Sequence, residues 1–293
     1  MSKLSESLTS GQFTITCELN PPKGIDLTTV YKQADMLSTL VDAFNITDSA
    51  SSIMKMSPIA ASHLLLDKGV ETILQITGRD RNRIALQSDL LAASALGVNN
   101  VLCLTGDPPG SGDHPDAKAV FDLDGIQLLQ AIRSLSSGVD ISGKTLDGSP
   151  SFYPGAAVNP GSNDLDKELR RMEEKVAAGA MFFRTQAVYE AKVLEKFMKG
   201  AEKFNVPVLV GLIILKSSKM AQNLNSYLPG VNVPPSIMVE MDGAKTREEK
   251  RDVSTKISSR LIRELKDMCQ GIHIMAIGWE SIVPNIIQES GIN

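Results

Sequence analysis

The chain has 293 residues, 42% of them hydrophobic and 22% charged, an ordinary globular composition that excludes disordered and fibrous classes. Thirty basic against 34 acidic residues leave a net charge of −4, so no nucleic-acid partner is expected, while a local anion pocket remains allowed. No apolar run approaches the roughly 20 residues that span a bilayer, and the opening MSKLSESLTSGQ lacks a signal peptide's apolar stretch, so a cytoplasmic protein without a membrane partner is expected.

Short apolar or alternating runs recur between helical patterns, the sign of repeated βα units and a parallel sheet. Strands are expected at Phe13–Leu19, Ala43–Thr47, Thr72–Thr77 and Asn100–Thr105, then at Phe152–Val158, Phe182–Gln186, Val208–Leu215 and His273–Gly278. Helical patterns follow most of them, for example over Arg83–Leu96, Asp164–Ala178, Val188–Phe204 and Thr246–Met268. Eight such units close into a (β/α)8 TIM barrel, and barrels of roughly 250 residues routinely form one domain, so residues 1–293 are expected to be a single domain. Pro/Gly/Ser-rich stretches at Asp107–Pro115, Ser142–Ser151 and Pro229–Pro235 read as long loops inside it.

The two-residue period of a strand divides each run between the lumen and the helix layer. In the first strand Thr14, Thr16 and Glu18 share one face, expected to be the lumen, and Phe13, Ile15, Cys17 and Leu19 share the other. The same split groups Asn45 with Thr47, Gln75 with Thr77, and Val101 with Cys103, Thr105 and Asp107. Polar residues thus collect at strand ends, where barrel enzymes place their chemistry.

Several motifs invite a functional reading. Gly138–Thr145 fits the GxxxxGK[ST] pattern, but a helix precedes it and no helix follows, so a phosphate loop is not expected. Lys216 after the seventh strand has the placement of a Schiff-base lysine, against the plainer reading of a solvated loop residue. Thr77–Arg83 puts Arg79, Arg81 and Arg83 between a strand and a helix, which suits an anion; the plain alternative is Asp80 or Asn82 as helix cap with solvated arginines. The glycines of Leu104–Gly112 permit close backbone approach to a flat ligand, while Asp107 alone reads as a turn residue. Glu18 ends an apolar strand on the lumen face, so partial desolvation should raise its pKa and suit it to general acid work. Only His63, His114 and His273 are present, without HExxH, and Cys17, Cys103 and Cys269 lack CxxC spacing. No metal site is expected, and the thiols read as free.

Taken in order, Cys17–Gly24, Gln75–Asn82, Leu86–Leu91, Leu104–Pro109 and Ala156–Pro160 resemble methylenetetrahydrofolate reductases, above all the reductase half of bifunctional homocysteine methyltransferase/reductase proteins. The resemblance runs from about Phe13 to Pro229–Pro235 and fades beyond. It implies a flavin-carrying (β/α)8 barrel that reduces 5,10-methylenetetrahydrofolate to 5-methyltetrahydrofolate, with FAD, or alternatively FMN, recharged at the same face. By that resemblance Glu18 protonates the folate amine, Asp107 stands beside flavin and pterin, and Gln186 hydrogen-bonds the pterin. Thr47, Gln75, Thr105 and Gly106 fall where flavin contacts are expected, as do Asn159, Glu168 and Lys175. Arg79 and Arg83 are expected to help neutralise the flavin phosphates.

The chain also departs from the family pattern. Thr105 replaces an arginine found in some members, Gly155 and Asn159 stand where some have tyrosine and histidine, and Ala187 and Ile214 replace a common aromatic or proline. No aromatic lies close in sequence to Lys216–Ala221 to stack on a nicotinamide, so a protein electron donor competes with NAD(P)H as the expected partner. A homo-oligomer or a subunit of a redox complex is expected. The alternative functions are a flavin-containing subunit of such a complex and a folate-binding barrel methyltransferase.

Overall fold

The computed structural model describes residues 2–292. Eight strands alternate with helices: β1 (Thr14–Leu19), β2 (Ala43–Ile46), β3 (Thr72–Thr77), β4 (Asn100–Leu104), β5 (Tyr153–Val158), β6 (Phe182–Ala187), β7 (Val208–Ile213) and β8 (Gly271–Met275). They close in sequence order into one barrel with every neighbouring pair parallel. Ahead of β1 lies α1 (Lys3–Ser10), and around the barrel run α2 (Thr28–Leu37), α3 (Pro58–Leu66), α4 (Arg83–Ala95), α5 (Gly125–Ser136) and α6 (Leu165–Ala178). The ring is completed by α7 (Ala191–Ala201), α8 (Ser218–Tyr227), α9 (Pro235–Gly243), α10 (Arg247–Leu265) and α11 (Val283–Ser290). This is the (β/α)8 barrel that the alternation predicts. Among the described residues no helix is long and apolar enough to cross a membrane.

Seven of the eight expected strands lie within two residues of their observed bounds. The eighth does not: it runs over Gly271–Met275 rather than His273–Gly278. A side chain at Gly271 would sit 2.1 Å from the Thr14 carbonyl oxygen, so only glycine lets β8 approach β1 there, and a glycine reads in sequence as a turn. Past the strand, Ile277 at φ 49° and Gly278 at φ 83° turn left-handed and end it.

Register around the barrel makes one consistent inward set. Thr16 is level with His273, Glu18 with Asn45, Gln75 with Leu102, Ala157 with Arg184, and Gly211 with His273. The expected grouping of Val101, Cys103 and Thr105 holds, but it is the helix side: Val101 and Cys103 pack with α5, and Leu102 takes the lumen. Burial raises the Cys17 and Cys103 thiols well above their ordinary value, so both stay protonated.

The amino-terminal end of the lumen is filled by a buried apolar cluster. Phe182 stacks on Tyr153 at 5.5 Å between ring centroids and 10° between planes. Leu4 and Leu8 of α1 close over them with Ile73, Leu102 and Leu209. The helix is tied on by Ser2 Oγ to Asn100 Oδ1 at 2.6 Å and by Ser7 to Thr14 at 2.8 Å between hydroxyls. Gly155 is required here, because a Cβ would lie 2.3 Å from the Phe182 ring.

Gly155→Ala should therefore destabilise the protein by about 1–3 kcal/mol, the usual cost of overpacking a core. Urea unfolding checks it; an unchanged midpoint would mean the Phe182 ring can step aside.

Candidate active site

With the lower end sealed, ligands can reach the lumen only across the carboxyl ends of the strands, and that end is polar. Glu18 is the last inward residue of β1, with its side chain 16% exposed. Its Oε1 accepts from Asn20 Nδ2 at 3.5 Å, and its Oε2 lies 3.9 Å from Arg184 Nη1. Burial raises the Glu18 pKa, Arg184 and the Asn20 hydrogen bond pull it back, and Glu280 adds to the rise. Arg184 itself is pushed down by burial and held up by Glu18.

On the other side of Arg184 stands His273, which is fully buried on β8. Its Nε2 is 3.4 Å from Arg184 Nη1, and its Nδ1 is 2.9 Å from Thr16 Oγ1. Burial, then the neighbouring Arg184 charge, hold the imidazole well below its ordinary pKa, so it is neutral. Arginine can only donate, so Nε2 accepts and the single ring proton sits on Nδ1, which donates to Thr16. Thr16 Oγ1 in turn donates to the Ile272 carbonyl at 3.3 Å.

Next to this row, Ala157, Asn159, Glu168, Arg184, Gln186 and Met275 line a pocket of about 180 Å³. Glu168 of α6 accepts from the Asn159 backbone N–H at 2.9 Å, and Lys175, two turns along the same helix, donates to the Ala157 carbonyl at 2.7 Å. Burial lowers the Lys175 pKa. A bulge between Arg184 and Ala187 inserts an extra residue against β7, and Gln186 Oε1 accepts from the Ala187 N–H at 3.1 Å. Four buried polar atoms around this end have no hydrogen-bond partner among the described residues: Asn45 Oδ1, Gln75 Nε2, Asn159 Oδ1 and Arg184 Nε. Buried groups of this kind are rare unless something else satisfies them.

The arginine segment is arranged otherwise than expected. Arg79, 3% exposed, forks onto Asp80 at 2.7 and 2.8 Å and also donates to Ser52 Oγ at 3.1 Å. Arg81 pairs with Asp48, whose Oδ2 also accepts from the Thr77 N–H at 2.8 Å, and with Asp89 at 3.1 Å. Arg83 forks onto Asp122 at 2.7 and 2.9 Å, and that contact holds the Asp122 pKa down at about 2. The three cations therefore do not converge on one anion, because each has its own carboxylate. Asn82 is the helix cap, accepting from the N–H groups of Ile84 and Ala85, both at 3.1 Å.

Arg79 lines a second cavity of about 250 Å³ with Ser49, Ser52, Met54, Pro109 and His114. Arg83 lies on neither cavity. Gly106 has φ 96°, and a Cβ there would meet Arg79 Cβ at 2.9 Å, so the β4 loop can run this close only as glycine. Asp107 is exposed and offers its carbonyl to Ser52 Oγ at 3.0 Å. Thr47 donates to Asn20 Oδ1 at 2.9 Å, while the Thr105 hydroxyl accepts from the Gly125 N–H at 3.3 Å. The Gly138–Thr145 match is a turn between α5 and β5, closed by Lys144 N–H donating to Asp140 Oδ1 at 2.9 Å.

Sequence reasoning missed three residues. Arg184 and His273 interrupt apolar strands at inward positions, a signal the alternation contained. Trp279 is the third: its ring lies 5.9 Å from Lys216 Nζ and 5.8 Å from the Arg251 guanidinium, so an aromatic does stand beside Lys216, brought from the far side of the sequence.

The methylenetetrahydrofolate reductase family profile matches residues 3–291. This chain belongs to the methylenetetrahydrofolate reductase family. Methylenetetrahydrofolate reductase 2 of Schizosaccharomyces pombe is 25% identical over 259 residues, covering 83% of this chain and 39% of that protein. The 5,10-methylenetetrahydrofolate reductase of Pectobacterium carotovorum subsp. carotovorum is 24% identical over 270 residues, covering 89% and 85%. The chain thus spans about two fifths of the fission-yeast relative and most of the bacterial one. Among solved structures, the EDTA monooxygenase of Chelativorans sp. BNC1 superposes with a TM-score of 0.59 at 12% identity, over 96% of this chain and 93% of that one, a likeness of fold.

His273 should show the 15N shifts of a neutral Nδ1–H imidazole at every pH from about 8 down to about 5. An unfolded histidine takes a proton below about 6.5 and this one does not, so its share of stability should fall as pH drops through that value. A titration of the folded His273 near 6.5 would contradict the tautomer assignment.

Proposed function

We propose that the chain reduces 5,10-methylenetetrahydrofolate to 5-methyltetrahydrofolate, with a flavin and the folate held at the carboxyl-terminal mouth of the barrel. The observation that carries this reading is Glu18, the one carboxyl group of β1, on its inward register with Thr14 and Thr16, with burial raising its pKa. Opening the methylene bridge needs a proton on the departing folate nitrogen and leaves a cationic iminium carbon. A carboxyl kept neutral near working pH can give that proton, and the carboxylate left behind is attractive to the cation. Hydride addition to that carbon then yields the N-methyl product.

The residues present fit a flavin. The orphaned polar atoms of Asn45, Gln75 and Asn159 need partners, and they lie at the mouth where the β4 loop packs closely on Thr77 and Arg79. We assign the flavin to Thr47, Gln75, Thr105, Gly106 and Asp107 on one side and to Asn159, Glu168 and Lys175 on the other. FAD is the favoured form and FMN the alternative. When bound there, the flavin supplies the hydride. Asp107 adds negative charge beside the reacting groups, Gln186 presents its amide to the pterin, and Lys175 fixes the β5 end through the Ala157 carbonyl.

Electrons are assigned to NAD(P)H or to an electron-transfer protein, in a homo-oligomer or a larger redox complex. Either donor must come to the same mouth, because the opposite end is plugged by Leu4, Leu8, Tyr153 and Phe182. The aromatic beside Lys216, Trp279, is buried in the apolar core rather than open at the mouth.

An absorbance spectrum of the purified protein, followed by release and identification of the chromophore, tests the flavin; a colourless protein that cannot be reconstituted sinks it. Of the two arginines expected at the phosphates, Arg79 alone faces a cavity. Arg79→Met should weaken flavin retention by about tenfold or more, the scale of a lost charge-assisted contact, and Arg83→Met by much less. Equal losses in equilibrium dialysis would return both to one anion site. Glu18→Gln should keep flavin binding and lower folate-dependent reoxidation by roughly 10²–10⁴-fold, as for a lost general acid. Full folate turnover in that variant would remove Glu18 from the chemistry.

A further inference from the structure

We propose that Arg184 is a positioning residue for Glu18: anchored on the His273 ring, it keeps a positive charge within Coulomb range of the Glu18 carboxyl group without hydrogen-bonding to it. The inference rests on the reading of Glu18 as proton donor. It is carried by the distances among Glu18, Arg184 and His273.

The guanidinium sits between two groups at unequal distances. His273 Nε2 is 3.4 Å from Nη1, within hydrogen-bond range, while Glu18 Oε2 is 3.9 Å away, outside it. A forked arginine at ordinary hydrogen-bond distance, such as Arg83 on Asp122, locks its carboxylate in the ionised form, and a carboxylate so locked has no proton to give. With no cation at all, a buried carboxyl would stay protonated and could not ionise once the proton is needed. A charge held just beyond hydrogen-bond reach lies between these limits.

His273 sets that distance. Its ring is fixed by the bond from Nδ1–H to Thr16 Oγ1, and Thr16 is fixed by the Ile272 carbonyl. Nε2 therefore offers a stationary acceptor that holds Nη1 back from Glu18. Arg184 has no other carboxylate partner among the described residues, and its buried Nε has no partner there, so it is not absorbed in a separate structural network. The groups acting on Glu18 are Arg184 from β6, Asn20 just past β1 and Glu280 after β8; Cys17 is its titratable neighbour within β1, and His273 of β8 faces Arg184. Arg184 is the only cation among those acting on Glu18.

The test reads the Glu18 proton directly. In the flavin-loaded protein, the infrared stretch of a protonated carboxyl that disappears in Glu18→Gln reports Glu18 without turnover. In Arg184→Met the midpoint of that band should move up by at least about one pH unit, the lower range for an opposite charge at this distance. The alkaline limb of folate-dependent reoxidation should move up with it, because the acid stays protonated to higher pH. Arg184→Lys, which keeps the charge, should restore the midpoint most of the way. His273→Leu should move it the other way, since a released guanidinium can close onto the carboxylate. Should Arg184→Met not fold, Arg184→Gln, which keeps a donor and loses the charge, carries the same expectation.

An unmoved midpoint in the uncharged variant overturns the proposal. So does a raised KM for the folate with an unmoved limb, which would make Arg184 a substrate contact. If Glu18→Gln leaves folate turnover intact, the proton-donor reading falls, while the infrared midpoint still decides whether Arg184 governs Glu18.

Discussion

Closure of eight parallel strands forces a single inward parity on the whole sheet, and every feature of the mouth depends on it. A strand has no freedom to expose Glu18 and bury Cys17 by itself; it must agree with both neighbours, and the last pairing, β8 with β1, must agree with the first. A slip of one residue in β6 would send Arg184 and Gln186 into the helix layer and Phe183 and Thr185 into the lumen. The glycines at 155, 211 and 271 sit where this closure brings strands or rings closest. At Gly211 a Cβ would come within 2.5 Å of the Thr185 carbonyl oxygen.

That parity separates the lumen into two environments. Below, Tyr153 and Phe182 stack under Leu4 and Leu8 in a buried apolar cluster. Above, Glu18, Arg184, His273 and Thr16 form a polar row whose low-dielectric surroundings make each charge count for more than it would at the surface. Removing two charges from water costs several kcal/mol per ion in effective terms, and a pair at 3.9 Å does not recover it through hydrogen bonding. A fold has no stability reason to keep such a pair, which favours a functional one.

The loops over the mouth are cross-tied rather than loose. Asp113 of the β4 loop takes the Lys23 ammonium from the β1 loop and the Met54 N–H from the β2 loop, the latter at 3.0 Å. Ser52 reaches the Asp107 and Pro108 carbonyls at 3.0 and 2.9 Å, and at Gly112 a Cβ would lie 1.8 Å from the Ser52 carbonyl oxygen. Ser49, Ser51 and Ser52 all adopt positive φ, strain that the Arg79 and Asp107 contacts hold in place. Charges that look available in sequence are spent on this bracing.

Local pattern alone carries the repeating βα order, seven strand positions, the inward face of β1 and a helix cap at Asp80 or Asn82, of which the structure selects Asn82, because hydrophobic period and capping chemistry act over a few residues. It also placed Glu18 at the mouth, since a lone carboxyl in an apolar strand has few other readings. What it could not decide was pairing across the barrel. Arg79, Arg81 and Arg83 look like one cationic patch until Asp80, Asp48, Asp89 and Asp122 arrive from separate segments. Trp279 reaches Lys216 across 63 positions of chain, and Arg184 meets Glu18 and His273 across 166 and 89. Those distances are set by barrel closure and by burial, neither of which is a property of any short stretch of sequence, so the protonation chemistry of the site belongs to the tertiary structure.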